Sequence, residues 1–371
     1  MVKGLSNTNG LVSRRGMKAT RDAEVVRQLR EAGAIPMAVT NVPELGLWLE
    51  CHNILFGRTA NPYDISRTPG GSSGGEGALL TSCGTPLSVG SDLGGSIRVP
   101  SFFCGVFGHK PTLGWVSMEG NKPLPYINKD KSEDRRMAVV GPMCRCTADL
   151  VLFLARVAPR AAGLAARVAQ TDIGSLKIWW VEGMESPRCR ATEPPLRKAL
   201  HAARRHLQTT FGATTCQFQW PLDMAHATDV WRDRYEIQEN GEPSLLTNMK
   251  NRESNANLPE EWLRWLCGRG RHTFPLLLHA SSVLAKKPRD PRFSWKNVQK
   301  YFLRRWSRTV AAGAHVPGGA LHGNFEQLQA RRHQRISNAT EMPSTAVPLG
   351  LSKDGLPLGL RNVRTNTASL Y

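Results

Sequence analysis

Apolar residues first recur at helical spacing between Asp22 and Ala32. There Val25, Val26 and Leu29 share one face, Thr20 or Asp22 can cap the start, and Gly33 ends the run. Ile35–Thr40 then reads as a short buried strand, which makes a helix-to-strand unit of the α/β kind. Leu45–Glu50 forms a second apolar patch, and Asn61–Asp64 reads as a turn. Ala78-Leu79-Leu80 starts like a helix, and Pro86–Gly90 reads as an apolar strand. Further on, Leu176–Val181 and Thr214–Trp220 predict strands. Pro194–Gln208 predicts a helix opened by prolines, and Leu258–Cys267 and Asn297–Arg308 also have helical patterns. Gly313–Thr340 keeps no period and reads as loop, its Asn338-Ala339-Thr340 matching a glycosylation acceptor that no secretory signal supports. There are no internal repeats.

Composition narrows the class. The 371 residues are 40% hydrophobic with ten Trp, enough for a sizeable core and against wholesale disorder. No apolar run is long enough to span a bilayer, and Met1–Gly10 lacks the apolar centre of a signal peptide. Among eight Cys only Cys144 and Cys146 lie close together, which fits neither a disulfide scaffold nor zinc spacing. Buried reduced thiols in an intracellular protein are therefore expected. The formal net charge is +19, and the densest basic stretch is Lys286–Arg308, where Arg304, Arg305 and Arg308 alternate with Phe302 and Trp306. That stretch reads as a solvated face, with contact to anionic lipid as the alternative; no RNA-binding signature accompanies it, so nucleic acid is not the expected partner.

The chemistry concentrates in two glycine–serine loops. Pro69-Gly70-Gly71-Ser72-Ser73-Gly74-Gly75-Glu76-Gly77 would by itself be a flexible linker, but it runs straight into an apolar helix start. Ser91-Asp92-Leu93-Gly94-Gly95-Ser96-Ile97-Arg98 follows the next strand. Consecutive glycines let backbone N–H groups converge on one spot, and two such turns can bring their serines together. Donors fixed in that way stabilise the anion that forms in acyl transfer. Taken singly, the second loop would be an ordinary strand-to-loop turn with Asp92 and Arg98 as a structural ion pair.

Taken together, the run from Pro69 to Thr112, with G-G-S-S-G-G-E-G, S-D-L-G-G-S-I-R-V-P and F-G-H-K-P-T, resembles the amidase-signature serine hydrolases. The likeness extends upstream to Thr40–Glu44 and downstream to Gly141-Pro142-Met143-Cys144-Arg145, and returns at S-K-D-G-L-P-L-G-L. Its details are most similar to the fatty acid amide hydrolase 2 branch. The resemblance implies an α/β fold, a central mixed β-sheet flanked by helices, formed by one domain over residues 1–371. Within it, 1–150 would be the signature core, 151–312 additions, 313–340 irregular and 341–371 a partial C-terminal segment. It also implies a Ser–cis-Ser–Lys mechanism. Ser96 matches the nucleophile, and Ser72 the serine whose preceding peptide bond is cis. The N–H groups of Leu93, Gly94, Gly95 and Ser96 match the oxyanion hole, and Ser73, Asp92 and Arg98 match supporting residues. No metal or organic cofactor is implied, and the expected substrate is a small-molecule amide, of lipid origin in this branch, with membrane-surface contact in view.

One departure matters. Val2-Lys3-Gly4-Leu5-Ser6-Asn7 matches a turn that follows the family's lysine motif, so Lys3 is not assigned the base role. The expectation is a shortened amide hydrolase with impaired turnover and a sheet lacking part of its edge. The rivals are a fold that binds without turnover, a subunit like those that amidate glutamate on tRNA, and a Ser-His-Asp enzyme using Ser73 in Gly71-Ser72-Ser73-Gly74-Gly75. The last needs an apolar strand before the serine, and Ser66-Arg67-Thr68-Pro69 is polar.

Overall fold

The computed structural model describes residues 1–121, 137–183, 191–218, 231, 245–251, 253–284, 309–314, 335, 337–338 and 340–364. The predicted helix Asn297–Arg308, its basic stretch, and Gln219-Trp220 lie outside them.

Ten strands are described, β1 (His52–Asn53), β2 (Gly57–Arg58), β3 (Leu87–Asp92), β4 (Phe107–Lys110), β5 (Val139–Cys144), β6 (Lys177–Val181), β7 (Thr214–Gln217), β8 (Thr309–Ala314), β9 (Ser344–Leu351) and β10 (Pro357–Arg364). β1 and β2 form a small hairpin. The other eight make one mixed sheet in the order β3-β5-β4-β9-β10-β8-β6-β7. β6 runs parallel to both β7 and β8, and the remaining pairs are antiparallel. Six helices precede residue 212: α1 (Glu24–Glu31), α2 (Gly74–Thr81), α3 (Arg98–Phe103), α4 (Thr147–Val157), α5 (Leu164–Ala169) and α6 (Pro194–Phe211). α6 carries the chain from β6 back to parallel β7, the crossover that parallel neighbours require.

Strand alternation divides the core into two layers. Val140 on β5 packs with Val25 and Val26 of α1 and with Phe153, Leu154 and Val157 of α4. Met143, three residues on, faces the other way and packs with Leu80 of α2 and Ile97. On that second face Phe102 and Phe103 of α3 meet Trp180 of β6, Leu196 and Leu200 of α6, and Leu360 of β10. The sheet therefore holds α2 and α3, which carry the two serine loops, against one face.

Several expectations need correction. α1 is capped by neither Thr20 nor Asp22: its N-cap is Ala23, which makes no side-chain cap. Asp22 instead accepts the Lys3 N–H at 2.7 Å and pairs with Arg30. Ile35–Thr40 is not a buried strand. It is unpaired and exposed, Ile35 to 86% and Met37 to 72%, and Pro36, its second residue, has no N–H to give a ladder. Gly313 and Ala314, expected in a loop, complete the interior strand β8. At the far end of that same expected loop, Ser337 and Asn338 are helical and buried, so the glycosylation acceptor Asn338 is fully enclosed. Cys51, Cys104 and Cys144 are buried thiols as expected, but Cys83, Cys146 and Cys267 are exposed.

Candidate active site

The first glycine–serine loop is no linker. Thr68 to Gly75 is continuously buried, with Ser72 6% and Ser73 4% exposed. The reason is close backbone approach. A Cβ on Gly71 would lie 2.7 Å from the Trp48 carbonyl oxygen, and one on Gly75 would lie 2.6 Å from the Asn41 backbone. No side chain fits at either position. α2 begins inside the glycines, at Gly74, with Ser73 as its N-cap. The Gly71–Ser72 peptide bond is cis, as the resemblance implied. Gly46 lies against the Ser72 hydroxyl: a Cβ there would be 3.6 Å from Ser72 Oγ. The turn bearing Gly46 is anchored by Glu44, whose carboxylate accepts the Thr273 N–H at 2.8 Å and contacts His272 Nδ1 at 2.7 Å.

The two loops adjoin directly. The Ser73 N–H donates to the Ser96 carbonyl at 3.1 Å, and the Ser91 N–H donates to Ser73 Oγ at 3.4 Å. Ser72 is buried, whereas Ser96 on the neighbouring turn is half-buried. Ser73 is committed to joining the loops, and no strand runs directly into it, so the elbow geometry is not met.

Asp92 holds the second loop. One carboxylate oxygen accepts the Gly95 N–H at 2.8 Å, and the other accepts the Ile97 N–H at 3.2 Å. Arg98 grips both oxygens from the far side, Nε and Nη2 each at 2.9 Å, and both side chains are fully buried. Burial would raise the Asp92 pKa, but the Arg98 guanidinium, with Lys110 and the Gly95 N–H, holds it well below the usual carboxylate range. Gly95 thus differs from its expected role. Its N–H, assigned to the oxyanion hole with its neighbours, is already given to Asp92. Among the described residues the Leu93, Gly94 and Ser96 N–H groups make no hydrogen bond.

Four contributors had no sequence signal. Arg98 Nη1 donates to Ser337 Oγ and Nη2 to Asn338 Oδ1 at 2.6 Å. Asn338 Nδ2 in turn donates to both the main-chain oxygen and Oδ1 of Asp92 at 3.0 Å, and to the Met137 carbonyl at 3.3 Å. Trp231 Nε1 donates to the Leu93 carbonyl at 2.8 Å, and the Arg335 guanidinium lies 4.3 Å over the Trp231 ring. Only proximity in sequence could have flagged these, and Asn338 lies 246 positions from Asp92.

A profile of the amidase family matches residues 1–211. Fatty-acid amide hydrolase 2-A of Danio rerio is 32% identical, over 98% of this chain and 69% of its own length. The chain belongs to the amidase family. Fatty-acid amide hydrolase 2 of Homo sapiens is likewise 32% identical over the same shares of the two chains. Among solved structures, a bacterial aryl acylamidase of the amidase-signature enzymes superposes with a TM-score of 0.71 at 18% identity, covering 100% of this chain and 77% of that one. The 6-aminohexanoate cyclic dimer hydrolase complexed with substrate gives 0.70 at 22% identity, over 99% and 79%. At those identities the superpositions establish the fold. Family membership makes this chain an amide hydrolase, and the mixed sheet flanked by helices is the fold of its neighbours.

Proposed function

We propose that Ser96 is the nucleophile of a fatty-acid amide hydrolase and that Ser72 passes protons for it. The observation that carries this reading is the junction of the two loops: a buried Ser72, one residue from the Ser73 N–H that binds the Ser96 carbonyl. In the proposed step Ser96 Oγ attacks the amide carbonyl and gives its proton to Ser72 Oγ, whose own proton passes to a base. Ser72 then returns a proton to the departing amine, leaving an acyl ester on Ser96 that water cleaves. Leu93, Gly94 and Ser96 would supply the donors for the tetrahedral oxyanion, while Gly95, bound to Asp92, holds the turn's shape. Ser73, Asp92 and Arg98 support the loops.

A lipid substrate is inferred from the fatty-acid amide hydrolases that resemble this chain along 98% of its length. Peripheral contact with a membrane is supported by an exposed apolar patch on two helices, Leu258–Leu266 and Phe274–Leu284. Leu263 and Leu266 are 62% and 72% exposed there, beside the ring cluster Trp262, Trp265 and Phe274. No helix among the described residues is long and apolar enough to cross a membrane.

Ser72 needs a base to take its proton. Lys3 is exposed and its main chain is tied to Asp22, and Lys110 is buried with Nζ donating to the Pro111 carbonyl at 3.0 Å. Turnover by these 371 residues is therefore proposed to be impaired, and a fold that binds amides without cleaving them is the second reading. Labelling with a long-chain fluorophosphonate, followed by mapping of the modified serine, tests the assignment. Ser96 should carry the label, Ser96→Ala should abolish it, and Ser72→Ala should slow it by about a hundredfold or more. A label on Ser73, or labelling that survives Ser96→Ala, overturns the assignment.

A further inference from the structure

Asp92 grips the turn Leu93–Gly95 through the Gly95 N–H, and a second device holds its Leu93 carbonyl. Trp231 is 6% exposed and aims its only donor, Nε1–H, at the Leu93 carbonyl, 2.8 Å away. The peptide joining Leu93 to Gly94 is trans, since the cis bond among the described residues is Gly71–Ser72. In a trans peptide the carbonyl oxygen and the following N–H point in opposite directions from one rigid plane. Fixing the Leu93 oxygen therefore fixes the direction of the Gly94 N–H, away from the indole. Arg335 completes the arrangement. Its guanidinium sits 4.3 Å above the indole, and its Cγ would be 3.7 Å from a Cβ on Gly94, with Trp231 Nε1 at 3.6 Å from the same point. The ring is thus held between a cation and the turn it positions.

We infer that Trp231 and Arg335 are positioning residues that set the direction of the Gly94 N–H and thereby tune stabilisation of the tetrahedral oxyanion over binding of the planar amide. This rests on the reading of Leu93, Gly94 and Ser96 as the oxyanion donors. Neither side chain needs to touch substrate for the effect. A donor displaced by a fraction of an ångström from the developing oxyanion loses much of its worth, while a planar amide bound by other contacts is indifferent to it.

Residue-resolved hydrogen exchange and fluorophosphonate labelling test the inference together. Trp231→Phe keeps a ring for Arg335 but removes the donor, and Arg335→Ala removes the cation. Both should raise the exchange rate of the Gly94 amide by about tenfold and slow phosphonylation of Ser96 by about tenfold or more. The affinity for a non-cleavable planar amide should change less than about twofold, and Arg335→Lys should recover part of both losses. Trp179→Phe, on β6, should leave all three measurements unchanged. Unchanged Gly94 exchange in both Trp231→Phe and Arg335→Ala overturns the inference, as does equal weakening of phosphonate labelling and amide binding. A wild-type protein that Ser96 labelling cannot detect would defeat the proposed function instead, and the exchange measurement would still decide whether the pair holds the turn.

Discussion

Residues 68–98 and residues 335–340 converge on the same turn but are built on different principles. In the earlier stretch the backbone does the work: glycines approach other main-chain atoms closely, and N–H groups point inward. In the later stretch side chains do it. Arg335, Ser337 and Asn338 reach Trp231, Arg98 and Asp92. Backbone-built sites need particular residue types at fixed spacing, because only glycine tolerates the approach. Side-chain supports need only one polar group in the right place, and a single Asn leaves no pattern. Breaking each kind of contact should give different losses.

The largest loss should follow from splitting the buried ion pair. Arg98→Met leaves the Asp92 carboxylate enclosed with its strongest partner gone, and removing one member of such a pair costs about 3–5 kcal/mol. Chemical denaturation of the variant checks this. The same pair dictates acid behaviour. Asp92 is depressed in the folded state, so its stabilising contribution is complete above the carboxylate's unfolded pKa of about 4 and declines as pH falls toward the folded value. Wild-type stability should therefore drop below about pH 4, and Asp92→Asn, already destabilised, should show a shallower drop in that window.

Asn338→Leu should come next. It is fully buried and donates to Asp92 and Met137 while accepting from Arg98, so the substitution leaves acceptors and a guanidinium donor unanswered. A loss of about 1–3 kcal/mol is expected, read from the shift of the urea midpoint. Were Asn338 merely a loop residue, as its sequence surroundings suggest, the change would be within error. Gly75→Ala probes the earlier stretch. Its new methyl would press on the Asn41 backbone and on Thr40 Cβ at 2.6 Å, and relieving that overlap should cost about 1–3 kcal/mol.

What could be read in advance follows from the same division. The glycine–serine loops, the strands Leu87–Asp92 and Lys177–Val181, and the helix Pro194–Phe211 carry their own periodicity or residue types, and the structure places them close to expectation. The grip of Asp92 on Gly95 was not readable, because a four-residue turn can present its N–H groups inward or outward without changing composition. Trp231 was equally silent: an indole within a polar stretch gives no indication of which carbonyl it will meet. β8 was missed because Ala312-Gly313-Ala314 has no apolar alternation, yet β6 and β10 pair with it on either side and the strand needs no packing pattern of its own.

Ile35–Thr40 is the converse case, a pattern that predicts burial and does not deliver it. Ile35, Met37 and Val39 alternate with smaller residues as an edge strand would, but Pro36 withholds one donor and no neighbouring strand pairs with the segment among the described residues. The three apolar side chains are 86%, 72% and 47% exposed, so replacing them removes little buried area. Ile35→Lys combined with Met37→Thr should therefore shift stability by no more than about 0.5 kcal/mol, whereas Val25→Thr, ten residues earlier and 2% exposed, should cost several times as much. Equal losses from the two variants in parallel urea titrations would mean that the segment is covered in solution after all, and that the alternation had described it correctly.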